Sequence, residues 1–105
     1  MESPPVRQVR FNPNNMYMTP GIAELMADPI LGSEIGMALF QRHPFGDWGN
    51  LEEEDKQCNE QAIISGARIY SAYKLSNGMR ILVITEAEDD EGHRSHTTAL
   101  LPLEY

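Results

Sequence analysis

The hydrophobic period of this chain changes once, at Gly66, and that change sets the kind of fold the chain can adopt. Before Gly66, apolar residues recur at helical spacing; after it, they alternate with a period of two. Thr19-Pro20 reads as a helix start, a hydroxyl cap followed by proline at the first helical position, with Ile22, Leu25 and Met26 behind it. Asp28-Pro29 repeats the signal and opens a longer helix with Leu31, Ile35, Ala38 and Leu39 as its apolar stripe. Gly32 and Gly36 each weaken that helix by about 1 kcal/mol relative to alanine unless something packs closely there. Pro44 disfavours helical geometry at the residue before it, which predicts an end near Arg42-His43. A third helix is expected with Asn50 as its cap, Glu53 at the reciprocal capping-box position and Gly66 as a left-handed terminator. Its predicted inner side is Trp48, Leu51, Cys58 and Ala62, which makes Cys58 a buried packing thiol.

Beyond Gly66, Ile69, Ser71, Tyr73 and Leu75 alternate with Arg68, Tyr70, Ala72 and Lys74. Asn77-Gly78 is a strong hairpin signal. Residues 79–85 are apolar on both faces and predict a central strand. Glu88-Asp89-Asp90-Glu91-Gly92 turns the chain again into a strand over 94–101, closed by Pro102. Residues 1–18, with their prolines and asparagines, predict an extended N-terminal arm carrying an edge strand around Val6–Phe11. The expected architecture is therefore an arm (1–18) and a single α+β domain (19–105). In that domain, N-terminal helices precede a three-stranded antiparallel meander, with a fourth strand as the variant, and the helices pack on one face.

Charge narrows the partners. Eight basic side chains against sixteen acids give −8; Arg7 and Arg10 against Glu2 leave residues 1–10 at +1, so residues 11–105 carry −9. Direct binding to nucleic acid, which depends on phosphate neutralisation, is not expected. A protein partner with a basic surface is, and such a body also imitates nucleic acid toward a nucleic-acid-processing complex. The plainer account is that the acids keep a small protein soluble. No apolar run approaches the roughly 18 residues of a membrane span. The N-terminus has no charged-then-apolar export pattern, and one cysteine allows no internal disulfide, so the expectation is cytoplasmic.

Two acid runs stand out as binding candidates: Glu52, Glu53, Glu54 and Asp55 at a helix start, and Glu88, Asp89, Asp90 and Glu91 at a hairpin tip. The helix dipole is a sufficient account of acids in the first run, but four in a row exceed what that turn needs and leave a partner surface open there. The second exceeds what a turn needs and favours a basic contact. The catalytic alternative is a metal-independent, ribonuclease-like site of His43, Asp47, Arg68 and Tyr70, with Glu54 and Tyr73 nearby: a base, an acid and a stabiliser of developing charge. Against it, Arg42 and His43 suit a helix C-terminus, Asp47 suits a turn brace, and Trp48 suits a core anchor bonded to backbone. His93 and His96 point to opposite faces of a strand, so no metal is expected, and no cofactor motif is present.

Arg42-His43, Gly46-Asp47-Trp48-Gly49, Glu54-Asp55 and Asn59 form the first half of a recognisable pattern. Arg68, Ser71, Tyr73, Val83-Ile84-Thr85-Glu86-Ala87 and Thr98-x-Leu100-Leu101-Pro102-x-Glu104-Tyr105 complete it. Over roughly residues 19–105 the chain resembles a family of small plasmid-related, mobile-element proteins of bacteria, some of which carry the label of a type I restriction subunit. It departs from the pattern in a longer, more acidic turn after Ala87 and in Leu103, where an acid is expected. The resemblance implies a mobile-element or genome-defence setting and no reaction, cofactor or catalytic residue. Together these readings point to a non-enzymatic accessory protein that binds a protein partner, with an anti-restriction or anti-CRISPR inhibitor as one form. A homodimer joined through the strand edge near 94–101 or through the arm is a third reading.

Overall fold

The computed structural model describes residues 7–105. It is α+β: β1 (Asn15–Met18), α1 (Pro20–Leu25) and α2 (Pro29–Met37) come first. A π-helical turn (Ala38–Arg42) and a 3-10 turn (His43–Phe45) continue α2, and α3 (Glu53–Ser65) comes next. Then come β2 (Ile69–Lys74), β3 (Arg80–Thr85), β4 (His96–Leu100) and a 3-10 turn at Pro102–Glu104. No helix of the described residues is long and apolar enough to cross a membrane.

The helix starts form where proline and a cap coincide, but the caps differ. Asp28 accepts from the N–H groups of Ile30 and Leu31 at 2.9 and 3.1 Å, the expected cap geometry. Thr19 makes no such bond. It donates to Glu104 at 2.5 Å, and the same carboxylate accepts from Gly21 N–H at 3.0 Å. The cap of α1 is thus supplied from the far end of the chain.

The sheet runs in the order β1-β4-β3-β2. Strands β2, β3 and β4 form the expected antiparallel meander. The fourth strand departs from it: β1 pairs parallel with β4, Tyr17 opposite Thr98, so the sheet is mixed. That strand lies at 15–18 and not around Val6–Phe11; Val6 itself lies outside the described residues. The join to α1 fixes its direction, because Thr19 N–H bonds to Ala99 O and the chain enters α1 at once on the helix-covered face. The β2–β3 hairpin closes from Leu75 to Gly78, with Gly78 N–H on Leu75 O and only the glycine left-handed.

One face of the sheet meets α1, α2 and the π turn: Ile22, Leu31, Ile35, Ala38 and Leu39 bury against Tyr73, Ile81, Val83 and Ala99. Helix α3 instead flanks the edge of β2. Buried Asn59 holds the backbone of Tyr70 from both sides, Nδ2–H to O at 2.5 Å and Oδ1 from N–H at 3.2 Å. Farther along that edge, Ala72 N–H donates to Trp48 O, Asn50 N–H donates to Ala72 O, and Lys74 N–H donates to Asn50 Oδ1. The outer row of β2 is thereby closed to a further strand. Asn50, committed to this edge, is not the cap of α3; Glu52 occupies that position and the helix begins at Glu53. Strand β4 lies between β1 and β3, so its edges offer no dimer contact.

The inner side of α3 also differs from expectation. Asn59 and Ala62 are its buried residues, whereas Cys58 is exposed. A helix lying along a strand edge meets backbone N–H and C=O groups, so an amide serves there better than a thiol.

Candidate functional site

His43 is carried under the helix-covered face of the sheet and is 0% exposed. Its Nδ1 lies 2.5 Å from Ser71 Oγ and its Nε2 2.8 Å from Thr85 Oγ1. Thr85 Oγ1 is 2.6 Å from Thr97 Oγ1, and Thr97 donates to Pro13 O at 2.7 Å. A carbonyl only accepts, which orients the whole chain of bonds. Thr97 gives its proton to Pro13 and accepts from Thr85; Thr85 accepts from His43 Nε2–H; the Nδ1 lone pair accepts from Ser71. His43 is therefore the neutral Nε2–H tautomer. Burial pushes its pKa down from 6.5 to about 3. Phe11 meets the ring edge-on at 5.1 Å and Trp48 at 6.1 Å. Both ring nitrogens are occupied inside the protein, and no face of the ring reaches solvent.

The Gly46–Asn50 turn is braced from three sides. Arg42 donates to Asp47 through Nε and Nη2 at 2.7 and 3.2 Å, and that bond, above all, holds the Asp47 carboxyl below the usual carboxylate range. The Arg42 guanidinium stacks 4.5 Å from the Tyr73 ring centroid, while Tyr73 Oη–H donates to Asp47 O at 2.6 Å. Burial raises the pKa of this hydroxyl. Trp48 is the expected core anchor, but its N–H goes to the Glu60 carboxylate at 2.9 Å and not to backbone. Glu60 also takes two bonds from Arg10, at 3.0 and 2.9 Å, and these keep it ionised.

The residues proposed for catalysis do not converge. Asp47 and Tyr73 adjoin the His43 turn. Arg68 and Tyr70 lie on the opposite face of the sheet, in a cleft of about 270 Å³ with Leu82, Ile84 and Tyr105. There Arg68 pairs with Glu86 at 3.2 Å and donates to Tyr105 Oη. Glu54 stands in the exposed first turn of α3, beside Gln57, Cys58 and Gln61.

The acid runs occupy the two ends of α3. Glu52 is its N-cap, and Glu53, Glu54 and Asp55 form its first turn. At the other end, Glu88 N–H donates to Gly66 O, which draws the hairpin tip up to the helix C-terminus. Asp89 is the scaffold of that tip: its Oδ1 accepts from the N–H groups of Glu91 and His93, both at 2.9 Å, which lowers its pKa. His93 sits 3.7 Å from Glu91, and His96 packs against Tyr17. Among the described residues, no three His, Cys, Asp or Glu side chains are grouped to hold a metal ion.

Two residues hold this edge together in roles that the sequence does not disclose, although Asn59 belongs to the pattern named above. Arg94, 5% exposed, donates to Ala62 O, Ala67 O and Glu86 O, closing the C-terminus of α3 where a cation is favoured. Asn59 closes the β2 edge. Replacing Asn59 by alanine strands the Tyr70 N–H and C=O and is expected to cost about 2–3 kcal/mol, read as a lower urea midpoint. An unchanged midpoint would mean that water replaces the amide without loss. A lone Arg or Asn carries no sequence signal for such a role, because its partners are backbone atoms distant in the chain.

Comparison with protein families, with curated proteins and with solved structures finds no match to this chain.

Proposed function

We propose that this protein is a non-enzymatic, cytoplasmic accessory protein of a bacterial mobile element, and that it binds a protein partner of basic surface through the acid groups at the two ends of α3. The observation that carries this reading is their placement. A helix of thirteen residues separates the Glu52–Asp55 and Glu88–Glu91 groups by about 20 Å. Apart from half-buried Asp55, both groups are exposed, and they lie at the ends of one element. A nucleic-acid-processing complex, with cationic side chains already spaced to meet phosphates, is the class of partner that suits such a pair. Inhibition of a restriction or CRISPR-type nuclease is one form this takes. Most of the polar side chains that carry the family resemblance favour the same reading. His43, Asp47, Asn59, Ser71, Tyr73, Thr85 and Glu104 are spent on bonds inside the fold, leaving no free base or nucleophile among them.

The test is capture of a partner from the native host by the wild-type chain and by an E88Q/D90N/E91Q variant, with Asp89 kept because it shapes the turn. Three surface charges at roughly 0.5 kcal/mol each predict about a tenfold loss of affinity, and the wild-type interaction should weaken with added salt. A partner that binds the variant equally well would sink the proposal. So would a nuclease activity that survives purification and disappears on substitution at Arg68 or Tyr70.

A further inference from the structure

We propose that the outward face of the helical segment 29–42 is a self-association surface on which a second copy of this chain docks antiparallel. The inward side of this segment is Leu31, Ile35, Ala38 and Leu39. At about 100° per residue, the opposite side presents Ile30, Ser33, Gly36, Met37 and Phe40. Ile30, Met37 and Phe40 are 67%, 48% and 61% exposed. Single exposed apolar residues are ordinary; a continuous band is not. In a chain with sixteen acids this band has no charge at all. Glu34, at its flank, accepts from Ser76 N–H at 3.1 Å.

Gly36 points the same way. It lies in the middle of α2 with no positive φ, and a Cβ there would meet nothing within 4 Å, so neither conformation nor internal packing uses it. Gly32 shows the contrast: a Cβ there would come 2.9 Å from Met26 O, so the α1–α2 joint requires it. A helical glycine without internal use suits close approach of another backbone. The π-helical turn begins two residues later and turns Phe40 outward while Ala38 and Leu39 stay buried.

The ends of the band select the occupant. Glu24 and Asp28 lie at its N-terminal end. Arg42 and Arg7, whose Nη2 donates to Gln41 O at 2.6 Å, lie at its C-terminal end with Asp47 as the acid there. An antiparallel second copy sets each end against its opposite charge and opposes the helix dipoles, and the contact closes on itself by two-fold symmetry. A basic partner, by contrast, gains nothing from a charge-free band. From Ile30 to Phe40 the band is about 15 Å long, which makes a small interface and a dimer of micromolar strength or weaker.

Sedimentation velocity of the full chain, from low micromolar to near-millimolar concentration, should show a monomer giving way to a dimer. Ile30→Lys, which faces the partner's Arg42 end, or Phe40→Glu, which faces the partner's Asp28 end, should alone weaken association by about tenfold or more with the thermal midpoint of the monomer lowered by no more than a few degrees. Because antiparallel docking places Ile30 of one copy near Phe40 of the other, the double variant I30K/F40E should regain association, now sensitive to salt. Gly36→Ala should raise the monomer's thermal midpoint while weakening the dimer. A chain that stays monomeric throughout, association that survives both single variants, or a double variant that regains nothing overturns the proposal.

Discussion

Replacing His43 by alanine is expected to cost about 3–5 kcal/mol, because it opens a cavity in the core and leaves Ser71 and Thr85 hydroxyls buried without their partner. Urea unfolding at neutral pH measures this directly. The same histidine should give the wild-type protein a distinctive acid response. In the unfolded chain it titrates near 6.5, whereas in the folded protein it stays neutral down to about 3. Above pH 6.5 neither state binds the proton and His43 contributes no pH dependence. Below it only the unfolded chain does, so stability falls by about 1.4 kcal/mol per pH unit as long as the folded ring remains neutral. Carboxylates held low by their partners, such as Asp47 and Glu60, add to the loss only near and below their own unfolded pKa values, 3.8 and 4.5. The window from pH 6.5 to 4.5 therefore isolates His43. A His43→Gln variant, which keeps an amide donor and acceptor in the site, should show a flat response there. A slope that persists in the variant would assign the proton uptake elsewhere.

What the sequence disclosed was local chemistry, and what it hid was distance. Thr19-Pro20, Asp28-Pro29, Gly66 and the alternation after it place three helices and the meander, because each signal acts within a turn of itself. The parallel pairing of Met16, Tyr17 and Met18 with β4 was hidden. Three apolar residues between prolines fix no direction, and their partners lie some eighty positions away. The same reason explains Glu104 in place of Thr19 as the cap of α1, and Glu60 in place of backbone as the partner of Trp48. Asn50 was a good cap by type, but the open edge of β2 claimed it first. For the candidate catalytic groups, residue type was legible and burial was not. His43, Arg68 and Tyr70 look like one set in the sequence, yet alternation along β2 sends Ser71, with His43, to one face and Tyr70 to the other.

The edge of β2 also yields the severest single substitution expected on the surface of this protein, Gly49→Ala. Gly49 bridges to Ala72 with φ +71, and its N–H is held by Asp47 Oδ1 at 3.1 Å. A side chain in the left-handed region costs about 1–2 kcal/mol by itself. Here the added Cβ would also overlap the Ala72 carbonyl oxygen and come 2.6 Å from Tyr73 Cδ1, on backbone and ring atoms that cannot swing aside. Relief requires the Trp48–Asn50 segment to lift off the strand. That movement breaks the Ala72 N–H···Trp48 O and Asn50 N–H···Ala72 O bonds and loosens the anchor of Trp48. The expected loss is about 4 kcal/mol or more, or roughly 20 °C in thermal midpoint for a domain of this size. Gly78→Ala is the internal control. Gly78 has φ +89 but meets nothing within 4 Å, so it carries the conformational cost without the clash and should lose only about 1–2 kcal/mol. The difference between the two variants measures how tightly the turn is clamped to the sheet. If Gly49→Ala proved no worse than Gly78→Ala, the clamp would be loose, and the rigidity ascribed to the His43–Trp48 region would have to come from its side chains alone.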